Sequence, residues 1–272
     1  MSFEQRGRMP LDYQPSALAG SVLRFRGPLN ADSGPGIVCI GSSETFGRFI
    51  DAPYATQLDR ALDIPVLNLG VVNAGLDVMM NDHAIAAAVA EAEAVVMQIT
   101  SAHNMTNRFY SVHPRRNDRF VSASAMLRTI YPQVDFTEFH FTRHMLSHLR
   151  DASEDRFEIV RTELEQAWVA RMRRYLKGLA VPVHLLWLSN RKPDDPEDAS
   201  LAQYPLFVSS KMLDEVRLDA ASLTIAAPEE ADGAEAIEGK YFGPREEAAA
   251  RLLPGPELHR MATESLLAHL GF

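Results

Sequence analysis

Residues 36–43 read GIVCIGSS, a short apolar run that ends in small polar residues. Such a run is typical of a buried strand that leads into a turn. Comparable runs occupy 66–70, 94–100, 181–189 and 222–228, and segments with helical spacing separate most of them. Apolar strands that alternate with helices indicate a parallel sheet covered on both faces. The sequence therefore predicts a flavodoxin-like three-layer α/β/α sandwich with a mostly parallel five-stranded sheet.

Helical spacing or helix-capping residues predict the elements that cover this sheet. Helices are predicted over 47–62, 81–94, 155–178 and 256–272, with Asn81 or Asp82 as the cap of the second. Pro53 is expected to mark the start of the first helix or to interrupt it. We treat 1–30 as an N-terminal arm and 31–272 as one domain that carries a helical, Arg- and His-rich insertion at 104–150 and a long loop at 190–218.

The composition of the 272 residues is that of a globular protein, with 46% hydrophobic and 23% charged residues. The net charge of −9 argues against nucleic acid as a partner, which normally requires a basic surface. No apolar run approaches the ~18 residues that a membrane span needs. A single cysteine, Cys39, fits a reducing compartment, and a cytoplasmic location is expected.

Polar or small residues follow the predicted strands at the positions where such sheets bind ligands. Ser42 and Ser43 follow the first strand, Gly70 ends the second, Asn104 follows the third, and His259 lies at the start of the last helix. A serine and a histidine can serve as nucleophile and general base, while N–H groups stabilise an oxyanion. Each residue taken alone also has an ordinary structural interpretation. The serine can cap a helix, the glycine can end a strand, the asparagine can belong to a loop and the histidine can lie on the surface.

Together these elements resemble the SGNH, or GDSL-like, hydrolase superfamily, in the form of a bacterial member with a divergent aspartate position. The GDSxxxG-type turn is matched by Gly41-Ser42-Ser43-Glu44-Thr45-Phe46-Gly47, the NxGxxG-like element by Asn68 and Gly70, the GxND element by Asn104, and the DxxH element by His259. The resemblance covers roughly 36–104 and 181–272. It implies Ser43 as nucleophile, His259 as base, and an oxyanion site formed by the N–H groups of Ser43 and Gly70 and by the amide of Asn104.

The function that follows is an esterase, deacetylase or acyltransferase that acts on an acylated polar or anionic substrate such as a carbohydrate. Pro256 stands where the family has the aspartate that orients the histidine, and Glu257 is the candidate replacement. A backbone carbonyl is the other way to orient the ring. The alternative function is a non-catalytic carbohydrate-binding or assembly module on the same fold.

The insertion supplies candidate substrate-binding residues because it begins directly after Asn104. Arginine forks suit carboxylate, sulfate and phosphate groups, and salt bridges within the protein are the competing explanation. The candidates are His103, Arg108, His113, Arg115 and Arg116. His140, His144 and His148 recur at a spacing of four, without a carboxylate signature that would complete a metal site. We expect no metal and no cofactor, a small-molecule or glycan substrate, and leave a homo-oligomer or assembly partner open.

Overall fold

The strands of the protein form one large sheet and one hairpin. The computed structural model describes residues 9–29, 34, 36–196, 200–229 and 237–271. Its strands are β1 (Ile37–Gly41), β2 (Val66–Gly70), β3 (Ala94–Gln98), β4 (Tyr110–His113), β5 (Arg116–Ala123), β6 (Val183–Leu188) and β7 (Ser222–Ala226).

The large sheet is parallel throughout and has the order β2-β1-β3-β6-β7. All five strands lie within the runs that the sequence predicts, so the five-stranded α/β sandwich is confirmed. The order reverses direction at β1, because β2 lies on one side of it and β3 on the other. Crevices at such a reversal, outside the carboxyl ends of the strands, are where open α/β sheets bind ligands.

The helices that connect and follow these strands pack on both faces of the sheet. They are α1 (Ser43–Phe46), α2 (Tyr54–Ala61), α3 (Leu76–Asn81), α4 (His83–Glu91), α5 (Ala125–Ile130), α6 (Thr142–Ala152), α7 (Glu154–Gly178), α8 (Ser210–Val216), α9 (Glu247–Leu252) and α10 (Pro256–Leu270). Within the described residues, none of them combines the length and the apolar composition that a bilayer crossing requires.

Alternation along the strands divides the core into two layers. Ile37 and Cys39 of β1 belong to a cluster with α2 and α10, whereas Val38 and Ile40 belong to a larger cluster with α7 and the insertion. Trp168 of α7 is fully buried in the larger cluster. Successive residues of a strand point to opposite faces, so one buried strand supports both layers.

The first predicted helix, 47–62, is wrong in its first half. α1 ends at Phe46, and Gly47 and Phe49 then adopt left-handed backbone conformations that no helix continues. α2 begins only after Pro53, which precedes its first residue and has no N–H to donate. The second predicted helix is confirmed as α4, and Asp82 caps it by accepting from Ala84 N and Ile85 N. The helix α3, which directly precedes it, was not predicted from the sequence.

The insertion, expected to be helical, combines helices with an antiparallel hairpin of β4 and β5. Tyr110 and Val112 are buried while Ser111 and His113 are partly exposed, the period of two that suits a strand. α5 and α6 follow the hairpin and pack beside it. The N-terminal arm, described from residue 9, packs on this scaffold through fully buried Phe25.

Candidate functional site

A cavity of about 590 Å³ lies at the carboxyl ends of β1 and β3. The sheet edge contributes the residues that follow these two strands, and Asn73 and Ala74 come from the loop after β2. The remaining walls come from the insertion, from the loop before α8 and from the segment before α10. Those lining residues include Asp118, Phe141, Thr142, Arg143, His144, Ser147, Tyr204, Pro205, Ala249, Leu252 and Leu253.

Ser43 lies at the floor of this cavity, as the first residue of α1. Its Oγ accepts a hydrogen bond from Asn73 N at 3.1 Å and donates to Asn73 Oδ1 at 3.4 Å. The Asn73 amide nitrogen in turn donates to Asp118 Oδ2 at 3.1 Å. Ser43, Asn73 and Asp118 therefore form one chain of hydrogen bonds that joins the sheet edge to the insertion.

Gln98, at the end of β3, holds the turn that carries Ser43. Its Oε1 accepts from Ser42 N at 2.8 Å, from Thr45 N at 3.2 Å and from Thr45 Oγ1 at 2.7 Å. Its Nε2 donates to Glu44 Oε2 at 2.8 Å. Burial raises the pKa of Glu44, which favours its neutral form. A single buried amide thus fixes the backbone on both sides of the serine.

Asn104 presents a free hydrogen-bond donor to the cavity. Its Oδ1 accepts from Thr142 Oγ1 at 3.0 Å, which fixes the orientation of the amide. Its nitrogen has no acceptor among the described residues. Ser43 N, in the first turn of α1, likewise has no acceptor within its own helix. Asn73 N, Asn104 Nδ2 and Ser43 N are therefore three donors in the cavity that holds the Ser43 hydroxyl.

Gly70, predicted as an oxyanion donor, lies beside the turn that carries Ser43 rather than among the residues that line the cavity in the described chain. Its N–H donates to Asn68 Oδ1 at 2.9 Å. A side chain here would put its Cβ 2.2 Å from Phe46 N, so the glycine is needed for close packing of β2 on α1. The N–H that reaches Ser43 belongs instead to Asn73, whose φ of 61° turns the backbone toward it.

The structure does not join His259 to Ser43. His259 is buried, and its Nδ1 accepts from Tyr54 N at 3.2 Å. Burial, with smaller effects from nearby Lys240 and Arg26, lowers the pKa of His259 to about 3. In the described chain, the segment before α10 meets the cavity through Ala249, Leu252 and Leu253 rather than through this imidazole.

Glu257, the candidate for orienting His259, lies on the exposed side of α10. Its carboxylate pairs with Arg260 at 2.5 Å, and the hydrogen bonds from that guanidinium hold the pKa of Glu257 below its ordinary value. The structure therefore shows Glu257 in a surface ion pair, with its proposed partner buried in the core.

Of the residues predicted to bind substrate, His103 comes closest to the cavity. It is buried between Tyr204 and Phe207, with ring centroids at 5.9 and 6.3 Å, and neither ring nitrogen has a partner among the described residues. Burial, reinforced by the positive charge of Arg143, lowers the pKa of His103 to about 3. The neutral ring thus supports the cavity wall from behind.

The remaining predicted binding residues lie outside the cavity. Arg108 forms an ion pair with Glu163 and lines a separate depression against α7. His113 and Arg115 are at the tip of the hairpin, where His113 Nδ1 accepts from Arg115 N at 3.2 Å, and Arg116 is exposed beside them. The cationic residue of the insertion that does line the cavity is Arg143.

Sequence reasoning missed several residues that line the cavity: Glu44, Asn73, Asp118, Arg143 and Tyr204. Burial raises the pKa of the half-buried Asp118 carboxyl, and its Oδ1 has no partner among the described residues. The available signal was positional, because Asn73 lies between the end of β2 and Gly75, where a turn with a left-handed residue is common.

A metal centre finds no support in the part of the chain that the structure describes. No group of three or more His, Cys, Asp and Glu side chains there is arranged to hold an ion. His144 and His148 pack against the ring of Phe139 instead, at centroid distances of 5.1 and 5.2 Å, and His140 precedes α6. Two of the three histidines thus pack on one phenylalanine ring.

Comparison with known proteins places the chain in a family. No curated protein matches the sequence. Among the solved structures similar to it is the lipase Lip_vut3 from a goat rumen metagenome, at 14% identity with a TM-score of 0.41; the match covers 86% of this chain and 96% of that chain. Another is LAE5, an α/β hydrolase from the metagenome of Lake Arreo in Spain, at 15% identity with a TM-score of 0.39; the match covers 88% of this chain and 96% of that chain. Neither likeness bears on the activity of this chain. A family model described as a domain of unknown function, DUF6473, matches residues 1–271, and the chain therefore belongs to the DUF6473 family.

Proposed function

We propose that the chain is an SGNH-type ester hydrolase or acyltransferase that acts on an acylated polar substrate, such as a carbohydrate ester, with Ser43 as the nucleophile. One observation carries the proposal: the Ser43 hydroxyl lies in a cavity of about 590 Å³ together with N–H donors from three separate segments. Such a volume is in the range of small-molecule sites. Donors gathered around a serine suit the negative charge that develops when an ester carbonyl is attacked.

The donors have distinct origins in the fold. Ser43 N belongs to α1, Asn73 N to the left-handed turn after β2, and the Asn104 amide to the loop after β3. Each oxyanion donor is worth roughly 3–4 kcal/mol of transition-state stabilisation. Thr142 donates a hydrogen bond to the Asn104 amide oxygen, and Asp118 accepts from the side-chain amide of Asn73, so the insertion contacts two of the residues that supply donors.

The proton of Ser43 requires a base, and we assign that role to His144. His144 is the cavity-lining residue of the described chain that carries an imidazole, whereas His259 is buried with Nδ1 bonded to Tyr54 N. The pKa of His259 is lowered to about 3 by burial, which makes that imidazole a weak base for proton transfer at neutral pH. His144 would accept the Ser43 proton during attack and return it to the leaving alcohol.

A second candidate function, a non-catalytic binding module, is favoured by the way Ser43 is bonded. Its hydroxyl is engaged by the Asn73 amide, a group with no useful basicity. Leu252 and Leu253 form an apolar wall where the segment before α10 meets the cavity. In that role the same donors would hold a carbonyl or hydroxyl of the ligand without turnover.

Covalent labelling separates the two functions. An uncharged alkyl fluorophosphonate should add one phosphonyl group to Ser43, measured by intact mass and peptide mapping. Ser43→Ala should abolish the adduct, and the matched control Ser147→Ala, which removes another cavity serine, should retain it. His144→Ala should slow labelling at least tenfold, and His259→Ala should change it less. A folded protein that stays unlabelled contradicts the enzyme and leaves the binding module.

A further inference from the structure

Arg143 is a cation without a partner in the wall of the Ser43 cavity. Within the described residues its guanidinium makes no hydrogen bond and no ion pair, although it is only partly exposed. The other cavity arginine, Arg48, is neutralised by Glu246 at 3.1 Å. A guanidinium has five donors in a fixed fork, and withdrawing it from bulk water without an acceptor is unfavourable.

The surroundings of Arg143 lack a compensating carboxylate on its own element. It is the second residue of α6, whose first turn contains no acidic residue and no side-chain cap. The amide ends of a helix carry partial positive charge at this position, which adds to that of the guanidinium. Glu44 and Asp118 belong to the same cavity, and one oxygen of each accepts a hydrogen bond, from Gln98 and from Asn73. Within the described residues, Asp118 Oδ1 has no partner, and no ion pair joins either carboxyl group to Arg143.

Tyr204 provides a second unfilled donor on the same side. Its hydroxyl has no partner among the described residues, and its ring contacts His103 at 5.9 Å. Arg143 and Tyr204 both line the cavity, and His103 packs against the ring of Tyr204. Ser43 and Asn73, in contrast, are linked to Asp118 across the cavity floor.

We infer that Arg143, with Tyr204, binds an anionic group of the ligand, a carboxylate or a phosphate, while the uncharged part of the ligand lies toward Ser43. The inference shares the cavity with the proposed function but does not require Ser43 to be catalytic. It assigns selection of an anionic ligand to the insertion, at Arg143 rather than at the hairpin arginines. A guanidinium fork matches the paired oxygens of both groups.

Binding of two simple anions tests the inference without any assay of activity. Succinate and inorganic phosphate are titrated into the full chain by calorimetry at low ionic strength. We expect at least one of them to bind, and Arg143→Gln to weaken its affinity about tenfold or more. Arg115→Gln, which removes the same charge from the exposed hairpin, should bind as the wild type does. The anion that binds tells a carboxylate ligand from a phosphate ligand.

Two results would overturn the inference: neither anion binding to the wild type, or Arg143→Gln binding as tightly as the wild type. Thermal melting establishes that the variants are folded. If Arg143→Gln does not fold, Arg143→Lys decides, because it keeps the charge but loses the fork and should bind with intermediate affinity. Labelling of Ser43 by the uncharged fluorophosphonate is independent of the anion, so the proposed function and this inference fail separately.

Discussion

Replacing Gln98 by methionine should remove the support of the Ser43 turn while keeping the volume of the side chain. Gln98 is 2% exposed, and its Oε1 accepts from Ser42 N, Thr45 N and Thr45 Oγ1 while its Nε2 donates to Glu44. Methionine offers none of these bonds. The Thr45 hydroxyl keeps its contact with the Tyr54 hydroxyl at 3.1 Å, so the unsatisfied groups are two backbone N–H groups and one carboxyl oxygen.

Leaving a buried polar group without a partner costs about 1–3 kcal/mol. Because two N–H groups and one carboxyl oxygen lose their partner, Gln98→Met should lower the free energy of unfolding by about 3–5 kcal/mol. This is a large share of the roughly 5–15 kcal/mol that stabilises a typical domain. Urea denaturation with linear extrapolation measures this loss.

The matched control is Gln57→Met, which loses one partly buried bond to Ala52 O and should cost about 1 kcal/mol or less. Equal losses in Gln98→Met and Gln57→Met would refute the reasoning.

Three further predictions concern buried groups around the site. Burial raises the pKa of Glu44, so the wild-type protein loses stability as the pH rises above about 4.5, the ordinary pKa of a glutamate. Glutamine cannot ionise, so Glu44→Gln should stabilise the protein more at about pH 7.5 than at about pH 4. Urea titration at both pH values measures this difference. Gly70→Ala should lower the free energy of unfolding by about 1–3 kcal/mol because the new Cβ meets the Phe46 backbone. Gly178 has open space around it, so Gly178→Ala should not destabilise the protein. Equal urea midpoints for the two variants would contradict this reasoning. The pKa of His103 is lowered to about 3, so the stability that its neutral ring confers on the folded protein is lost as the pH falls below about 6.5. The melting temperature of the wild type should therefore drop more steeply between about pH 6.5 and pH 4 than that of His103→Phe.

The sheet was predictable because its strands are buried on both faces. Runs such as 36–43 and 94–100 are apolar throughout, and only a strand covered by two helical layers requires that pattern. The insertion was less predictable, because the alternation of Tyr110 and Val112 with polar neighbours is short and interrupted by two register shifts in the hairpin. Its strands are stabilised by long-range packing, which local sequence does not encode.

The candidate site was predictable where it depends on strand ends. Ser43 lies two residues after β1 and Asn104 six residues after β3, and both line the cavity. The assignment of His259 as the base stays a prediction, because the sequence does not determine which side of α10 its imidazole occupies. A turn of a helix decides whether an imidazole enters a cavity or the core, and His259 entered the core beside Tyr54.

If the proposed site is correct, the distribution of polar groups predicts that ligand selection depends on residues outside the sheet. Ser43, Asn73 and Asn104 stand on turns that follow the parallel strands, so the sheet determines their positions. Asp118 and Arg143 come from the insertion, and each reaches the cavity from a different element of it. Because Asp118 and Arg143 add charge beside these three neutral groups, changes in the insertion should alter ligand preference while leaving the Ser43 turn intact. Arg143→Gln should therefore weaken the binding of whichever anion the wild type takes, as calorimetry measures.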